Sequence, residues 1–369
     1  MSRPRIKPEH VPYRITGGRI RLGGGAYGIA AEIADPDGSA WTLLTAMDGS
    51  RSPAEIVAGV LARHPGQTEE ALLAAIDTVT EAGYVEDCAG PVPAGLTDRD
   101  QQRYDRGRAY FRWVDLTPRR STWEPQARLR DSRAVVIGIG GTGGNAAYAL
   151  AASGVGHIYC VDRDIVELSN LNRQVLFSES DVGSPKVTAA VRRLRAVNSD
   201  IQVDGETAEI GSAADLERYA SGCDVLVLAA DQPPEIRVWA NRACLAAGTP
   251  WVETGYNGPV IATTVYVPGV SACFECLGLA KTDTGRQLGI RPEETAQRWA
   301  AAGKAVAAPT AGVSGYLAAH AALSVLTGVP PVTPGRVYRV NLMALHEPDA
   351  LDVTRRADCP ACGSAARPS

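Results

Sequence analysis

The residues with the clearest chemical potential run from Val135 to Gly144, Val-Val-Ile-Gly-Ile-Gly-Gly-Thr-Gly-Gly. Gly138, Gly140, Gly141 and Gly143 set a G-x-G-x-x-G turn between an apolar strand and a helix. Such glycines let the backbone approach a phosphate at a helix N-terminus, where free N–H groups attract an anion. Asp162 follows Gly143 by 19 residues and ends the next apolar run, suitably placed for a pair of ribose hydroxyls. The pattern implies a nucleotide and, taken in isolation, leans toward NAD.

The next segment argues against a nicotinamide. Asp162-Arg163-Asp164 opens a polar stretch that continues through Ser169, Asn170, Leu171, Asn172, Arg173 and Gln174, and Lys186 follows Gly183-Ser184-Pro185. Arg173 and Lys186 supply the cations that a triphosphate needs as charge accumulates on its oxygens during substitution.

Cys273/Cys276 and Cys359/Cys362 form two Cys-x-x-Cys pairs with 82 residues between them. Four thiolates are the complement of a closed tetrahedral zinc site, which would staple a long crossover to the C-terminal tail. A redox Cys-x-x-Cys has no use for a duplicate, and a catalytic zinc would keep an open position. Cys88, Cys160, Cys223 and Cys244 stand singly and read as small buried hydrophobes. The five histidines do not cluster in sequence.

These motifs need a scaffold, and the pattern from residue 131 to 369 describes one. Apolar runs Ala134–Ile139, Ile158–Val161, Val225–Ala229 and Trp251–Thr254 alternate with helical stretches near 143–153, 185–197 and 234–247. That alternation predicts right-handed βαβ units and a doubly wound parallel sheet. Strands near 258–267 and 336–342 flank a small-residue helix over Thr310–Leu326. Phe is scarce, at 3 of 369 residues, so the core must rest on Ala, Val, Leu and Ile.

Upstream, Tyr13–Leu22 and Ala26–Ile33 read as strands and Ser39–Met47 as a helix. Ser52-Pro53-Ala54-Glu55 opens a second helix with a cap, a first-turn proline and an acid. A third covers Glu69–Ala82 and stops at Gly83. Residues 1–90 are therefore expected to form a small winged-helix-like α+β module, and 88–98 is a Pro/Gly-rich linker.

Four ordered motifs resemble one family: Gly-x-Gly-Gly-x-Gly, Asp-x-Asp, Ser-Asn-Leu-Asn-Arg-Gln and Gly-x-Pro-Lys. They are those of the ThiF/MoeB/HesA adenylyltransferases of the ubiquitin-activating superfamily, and the likeness runs from about Tyr104 to Cys362. It implies an α/β, Rossmann-like adenylation domain that uses ATP and Mg2+ and holds a structural Zn2+. Gly141, Asp162 and Asp164 would contact the nucleotide, Ser169–Arg173 the ribose and phosphates, and Lys186 the phosphates. Asp231 matches the magnesium-holding acid; Gln232 departs from the family's usual Asn. Arg106 matches an arginine that enters the partner subunit's site, which implies a homodimer and places residues 91–130 as an arginine-bearing segment before the 131–369 domain. Members that pass the acyl group to their own cysteine keep it between the zinc pairs, whereas residues 277–358 contain none.

Residues 13–87 resemble PqqD-like modules, which recognise leader peptides in ribosomal peptide biosynthesis. The two-part plan is that of the MccB group, which adenylates the C-terminus of a short peptide. The expected activity is thus adenylation of a carboxylate on a ribosomally synthesised precursor peptide. Alternatives are activation of a small sulfur-carrier protein or a non-catalytic nucleotide-binding module, with the N-terminal module serving dimer contacts only.

A net charge of -4 gives no general electrostatic attraction for nucleic acid. The helix over Glu69–Ala82 also lacks any Lys or Arg for phosphates. No apolar run is long enough for a membrane span, and Met1-Ser2-Arg3-Pro4 lacks a secretory apolar stretch, so a cytoplasmic location is expected.

Overall fold

The structure, a computed structural model, describes residues 1–25, 28–289, 305–347 and 349–363. The start of the strand expected over Ala26–Ile33 lies outside them. Backbone contacts divide the chain into two compact units, with the boundary between Arg128 and Leu129.

In the first unit, β1 (Pro4–Ile6) pairs antiparallel with β5 (Val85–Asp87). A separate antiparallel meander contains β2 (Tyr13–Ile15), β3 (Arg19–Leu22) and β4 (Ala31–Ala34). The single strand expected over Tyr13–Leu22 is a hairpin, because Gly17 and Gly18 both take positive φ and reverse the chain. Helices α1 (Ser39–Ala46), α2 (Pro53–Leu61) and α3 (Glu69–Glu81) follow. Ser52 and Glu55 form a reciprocal capping box at α2, while the Thr68 hydroxyl accepts from Ala71 N–H at α3. Their apolar stripes bury Ile56, Val60, Leu72 and Ile76 against Ile20 and Leu22 of β3.

Helix α4 (Asp98–Val114) begins where the linker ends, capped by Thr97 and Asp100. Its last turn is tied into the unit by ions: Arg112 donates to Glu9 at 2.6 and 2.8 Å and to Glu86 at 3.4 Å. A short helix, α5 (Glu124–Asp131), spans the boundary.

The second unit is built on an eight-stranded sheet ordered β8-β7-β6-β9-β10-β11-β12-β13. The strands are β6 (Arg133–Ile137), β7 (His157–Asp162), β8 (Gln202–Thr207), β9 (Val225–Leu228), β10 (Trp251–Asn257), β11 (Val260–Tyr266), β12 (Arg336–Asn341) and β13 (Asp349–Asp352). β8 through β10 are parallel, as expected, but β11, β12 and β13 are antiparallel. A parallel neighbour needs a crossover of a dozen residues, and β10 reaches β11 through Gly258-Pro259 alone, which only a hairpin can use.

Helices α6 (Gly141–Ala152), α7 (Lys186–Val197), α8 (Ala213–Ala220), α9 (Ile236–Ala247), α10 (Phe274–Gln287) and α11 (Ala308–Thr327) complete the unit. β6 and β9 are buried throughout their central residues, and β10 buries Trp251, Val252 and Thr254. Helix α11 seats its small residues, including Ala311, Ser314 and Gly315, close to α6, and Thr142 and Ser314 share a hydroxyl hydrogen bond at 2.7 Å. Because β6 has β7 on one side and β9 on the other, the topological switch point falls between β6 and β9. In open α/β sheets the ligand crevice lies there, outside the C-terminal strand ends.

Candidate active site

A cavity of about 460 Å³ occupies that crevice. Of the residues singled out in the sequence, it gathers Gly138, Gly140, Gly141, Asp162, Asp164, Asn170, Arg173, Lys186, Asp231 and Gln232 on its lining. Gly138 leaves β6 with φ +86°, and a Cβ there would lie 2.9 Å from Ala230 N. Gly143 is one turn into α6 and serves close packing: a Cβ would overlap the Gly138 carbonyl at 1.8 Å. Both positions require glycine, for different reasons.

The Asp162 carboxylate accepts from Ile139 N–H at 2.6 Å and Asp164 N–H at 2.8 Å, joining the glycine loop to the end of β7. The polar excursion after β7 returns through an antiparallel bridge between Ile165 and Pro185, which sets Lys186 beside Asp164. Lys186 Nζ donates to Asp164 Oδ2 at 2.8 Å; the lysine side chain is 7% exposed and the aspartate 54%. Arg173 Nη1 is steadied by Ser169 O and Asn172 Oδ1, both at 2.9 Å. Ser169, Leu171 and Asn172 do not line the cavity themselves; they shape the turn that presents Arg173. Asp231 follows the end of β9, where Ala229 N–H donates to Ile137 O at 2.9 Å.

Arg106 lies on α4 in the first unit and is exposed. Tyr110 and Trp113, at i+4 and i+7 from it, are each 44% exposed. These three residues form one solvent-facing stripe of the helix.

Sequence reasoning missed three lining features. Gln174 lines the cavity, is 4% exposed and has no partner for its Oε1 among the described residues. It closes the motif that already pointed to Arg173. The tip of the β10–β11 hairpin, with Tyr256 and Asn257, had no local signal beyond a turn. Arg237, six residues after Asp231, lacked a motif, and only the folded α9 brings it to the cavity.

The four paired cysteines meet. Their Sγ atoms all lie within 4.8 Å of one another, with Cys273–Cys276 at 3.9 Å, Cys273–Cys359 at 3.6 Å and Cys276–Cys362 at 3.5 Å. Zn–S bonds of about 2.3 Å in a tetrahedron place sulfurs roughly 3.8 Å apart, so the set fits zinc. Burial raises the Cys273 thiol well above its usual range, which a cation would reverse. Among the single cysteines, Cys160 and Cys244 are fully buried, and burial pushes the Cys160 thiol up to about 12. Cys88 is exposed, which corrects the expectation that it sits in the core.

An anion-ready glycine turn, two cations and an acid at the switch point define a nucleotide-binding α/β domain, beside which lies a four-thiol cluster compatible with zinc. Residues 115–361 match the model of the ThiF family. Relatives include the sulfur carrier protein ThiS adenylyltransferase of Escherichia coli, 31% identical over 73% of this chain and 97% of that protein. The SAMP-activating enzyme E1 of Haloferax volcanii is 33% identical over 65% of this chain and 83% of its own length. Among solved structures, E. coli MccB with ATP superposes with TM-score 0.77 at 22% identity, covering 98% of this chain and 100% of that one. The chain belongs to the ThiF family, and it is an ATP-using adenylyltransferase of that family. No helix among the described residues is long and apolar enough to cross a membrane.

Proposed function

We propose that this enzyme adenylates a carboxylate on a ribosomally synthesised precursor peptide. The observation that carries the reading is the folded N-terminal unit. The alignment with the E. coli ThiS adenylyltransferase uses 97% of that protein but 271 of this chain's 369 residues, so about 98 residues, most but not all of the length of that unit, are extra to the sulfur-carrier plan. The MccB chain, by contrast, is matched across its full length. The meander in the unit has β2 and β4 as its edges, and an extended leader peptide can add a strand to such an edge. Residues 1–90 are accordingly assigned to peptide recognition, 91–130 to the arginine-bearing segment and 131–369 to adenylation.

The chemistry balances without a proton transfer. A carboxylate is already ionised near neutral pH, so no general base is required. One of its oxygens attacks the α-phosphorus of ATP; the new O–P bond forms as the bond to the β-phosphate bridge breaks and pyrophosphate leaves. The glycine-loop N–H groups at the start of α6 face the phosphates. Arg173 and Lys186 offset the charge that builds on the α-phosphate and on the leaving group. Asp231 and Gln232 are the residues that would hold magnesium, and a carboxylate suits that hard cation, whose charge neutralises phosphate oxygens. The four cysteines hold one structural zinc. The exposed α4 stripe with Arg106 docks on a second copy, so that Arg106 completes the partner's site. With no cysteine between residues 277 and 358, the acyl-adenylate is not passed to a thiol of that crossover.

A second reading, activation of a small sulfur-carrier protein, draws on the names of the curated relatives. Pyrophosphate release measured with candidate precursor peptides, with carrier proteins ending in Gly-Gly, and with neither separates the two. Release stimulated by a peptide and not by a carrier is expected; the reverse result refutes the peptide reading, and no release with either refutes both.

A further inference from the structure

The cavity lining divides into two sets along the sheet. One set, the glycine loop with Asp162, Arg173 and Lys186, comes from the ends of β6 and β7 and the excursion after them, and serves the nucleotide. The other comes from the ends of β9 and β10 and the start of α9, and includes Asp231, Arg237 and the stretch Thr254–Gly258. Strand order puts β10 two places along from β6, so the second set extends the crevice away from the glycine loop. Among the described lining residues, Arg237 is the one cation of this second set.

Arg237 is held from behind. Its Nε donates to Glu253 Oε1 at 2.8 Å, and the Tyr266 hydroxyl donates to Glu253 Oε2 at 3.2 Å. Tyr266 is 2% exposed and stacks on Trp251 with ring centroids 4.6 Å apart, so the anchor of the anchor is core. A side chain on Gly255 would sit 4.0 Å from Arg237 Nη2, placing the guanidinium beside the backbone of β10. With Nε committed to Glu253, the two terminal NH2 groups are the donors offered to a ligand.

Resting on the function proposed above, we propose that Arg237 is a catalytic residue that receives the substrate's reactive carboxylate, with Glu253 and Tyr266 as its positioning residues. The nucleophile is an anion that must approach a triphosphate, so like charges repel unless a cation stands on the acyl side. A guanidinium fits the task because it binds both carboxylate oxygens in one plane and thereby fixes which oxygen faces phosphorus. When that oxygen becomes the bridge of the acyl-adenylate, the carbonyl oxygen keeps one hydrogen bond to Arg237. The site so described admits a chain end or side chain bearing a free carboxylate and rejects an amide.

ATP–pyrophosphate exchange tests this with a defined probe, a pool of N-acetylated short peptides lacking Asp and Glu and with free C-termini, and the same pool C-terminally amidated as control. Arg237→Ala should raise the KM for the pool about 10- to 100-fold, the loss of a charge-assisted pair, while the KM for ATP stays within about twofold. Arg237→Lys should recover part of the loss, which also guards against a folding defect. Glu253→Ala should raise the KM for the pool less and leave the ATP KM alone, and adding it to Arg237→Ala should have no further effect. An unchanged pool KM in Arg237→Ala, or a rise in the ATP KM instead, overturns the assignment. If the wild-type enzyme exchanges pyrophosphate with no carboxylate at all, the function itself is refuted. Arg237 is then judged by affinity for the non-hydrolysable analogue AMPCPP. A tenfold loss in Arg237→Ala would move it to the nucleotide set and overturn the proposal; unchanged affinity supports its place in the acyl set.

Discussion

Replacing Lys186 with methionine keeps the buried stem and deletes the charge, so chemistry and fold can be separated in one variant. The ammonium pairs at 2.8 Å with Asp164, whose side chain is 54% exposed. Breaking a pair with so wet a partner costs less than about 1 kcal/mol of stability, because water screens the interaction and rehydrates the carboxylate. For a unit of this size that is a shift of roughly 2–4 °C in Tm at most. Catalysis should respond on another scale. A fixed charge aimed at oxygens that become more negative in the transition state is worth about 10²–10³ in rate, since it acts without reorganising. ATP–pyrophosphate exchange should therefore fall by that factor in Lys186→Met, while a thermal melt stays nearly unmoved. Lys186→Arg should recover part of the activity if charge is what matters. Exchange within threefold of wild type, with an unchanged melt, would refute the assignment of Lys186 to the phosphates. A collapse of both together would show that its role is packing.

Metal analysis of purified protein should give about one zinc per chain, the occupancy of one four-thiol site, and Cys359→Ser should lower both zinc content and Tm; full activity and stability without metal would remove the staple. Mixing inactive Arg106→Ala and inactive Asp231→Ala subunits should restore activity to about a quarter of wild type, because random pairing makes about half the dimers mixed and each has one intact site. If subunits exchange and no activity returns, Arg106 does not act in trans. His10 is fully buried, and burial together with the Lys7 charge holds it down to about 4. Its neutral form belongs to the fold, so its contribution is complete above about pH 6.5 and is lost as pH falls toward 4, by about 2–3 kcal/mol at pH 4.5. Urea midpoints at pH 7.5 and 4.5 should draw closer in His10→Leu than in wild type; equal spacing would contradict this.

Local chemistry made much of the molecule readable. Ser52 with Glu55, and Thr68, each satisfy backbone groups within a few residues, and Gly138 supplies the positive φ of the turn after β6 by itself, so their sequence neighbourhood defines their structure. Strands β8 and β13 gave no such signal. β8 reads Gln-Val-Asp-Gly-Glu-Thr and buries Val203 alone, and β13 reads Asp-Ala-Leu-Asp and buries none of its residues; both are edges. An edge strand is decided by the neighbour that pairs with it, and that neighbour is far away in sequence.

The same division holds at the site. The sequence by itself determined the nucleotide turn, the run that carries Arg173, the position of Lys186 and the four metal-type cysteines, because each motif lies within a short segment. Tertiary structure alone decided that Cys273 comes within 3.6 Å of Cys359. It also decided that α9 sets Arg237 on the same cavity as Asp231. These are contacts between elements, fixed by sheet order and helix packing, and no short segment encodes them because the energy that selects them belongs to the whole core.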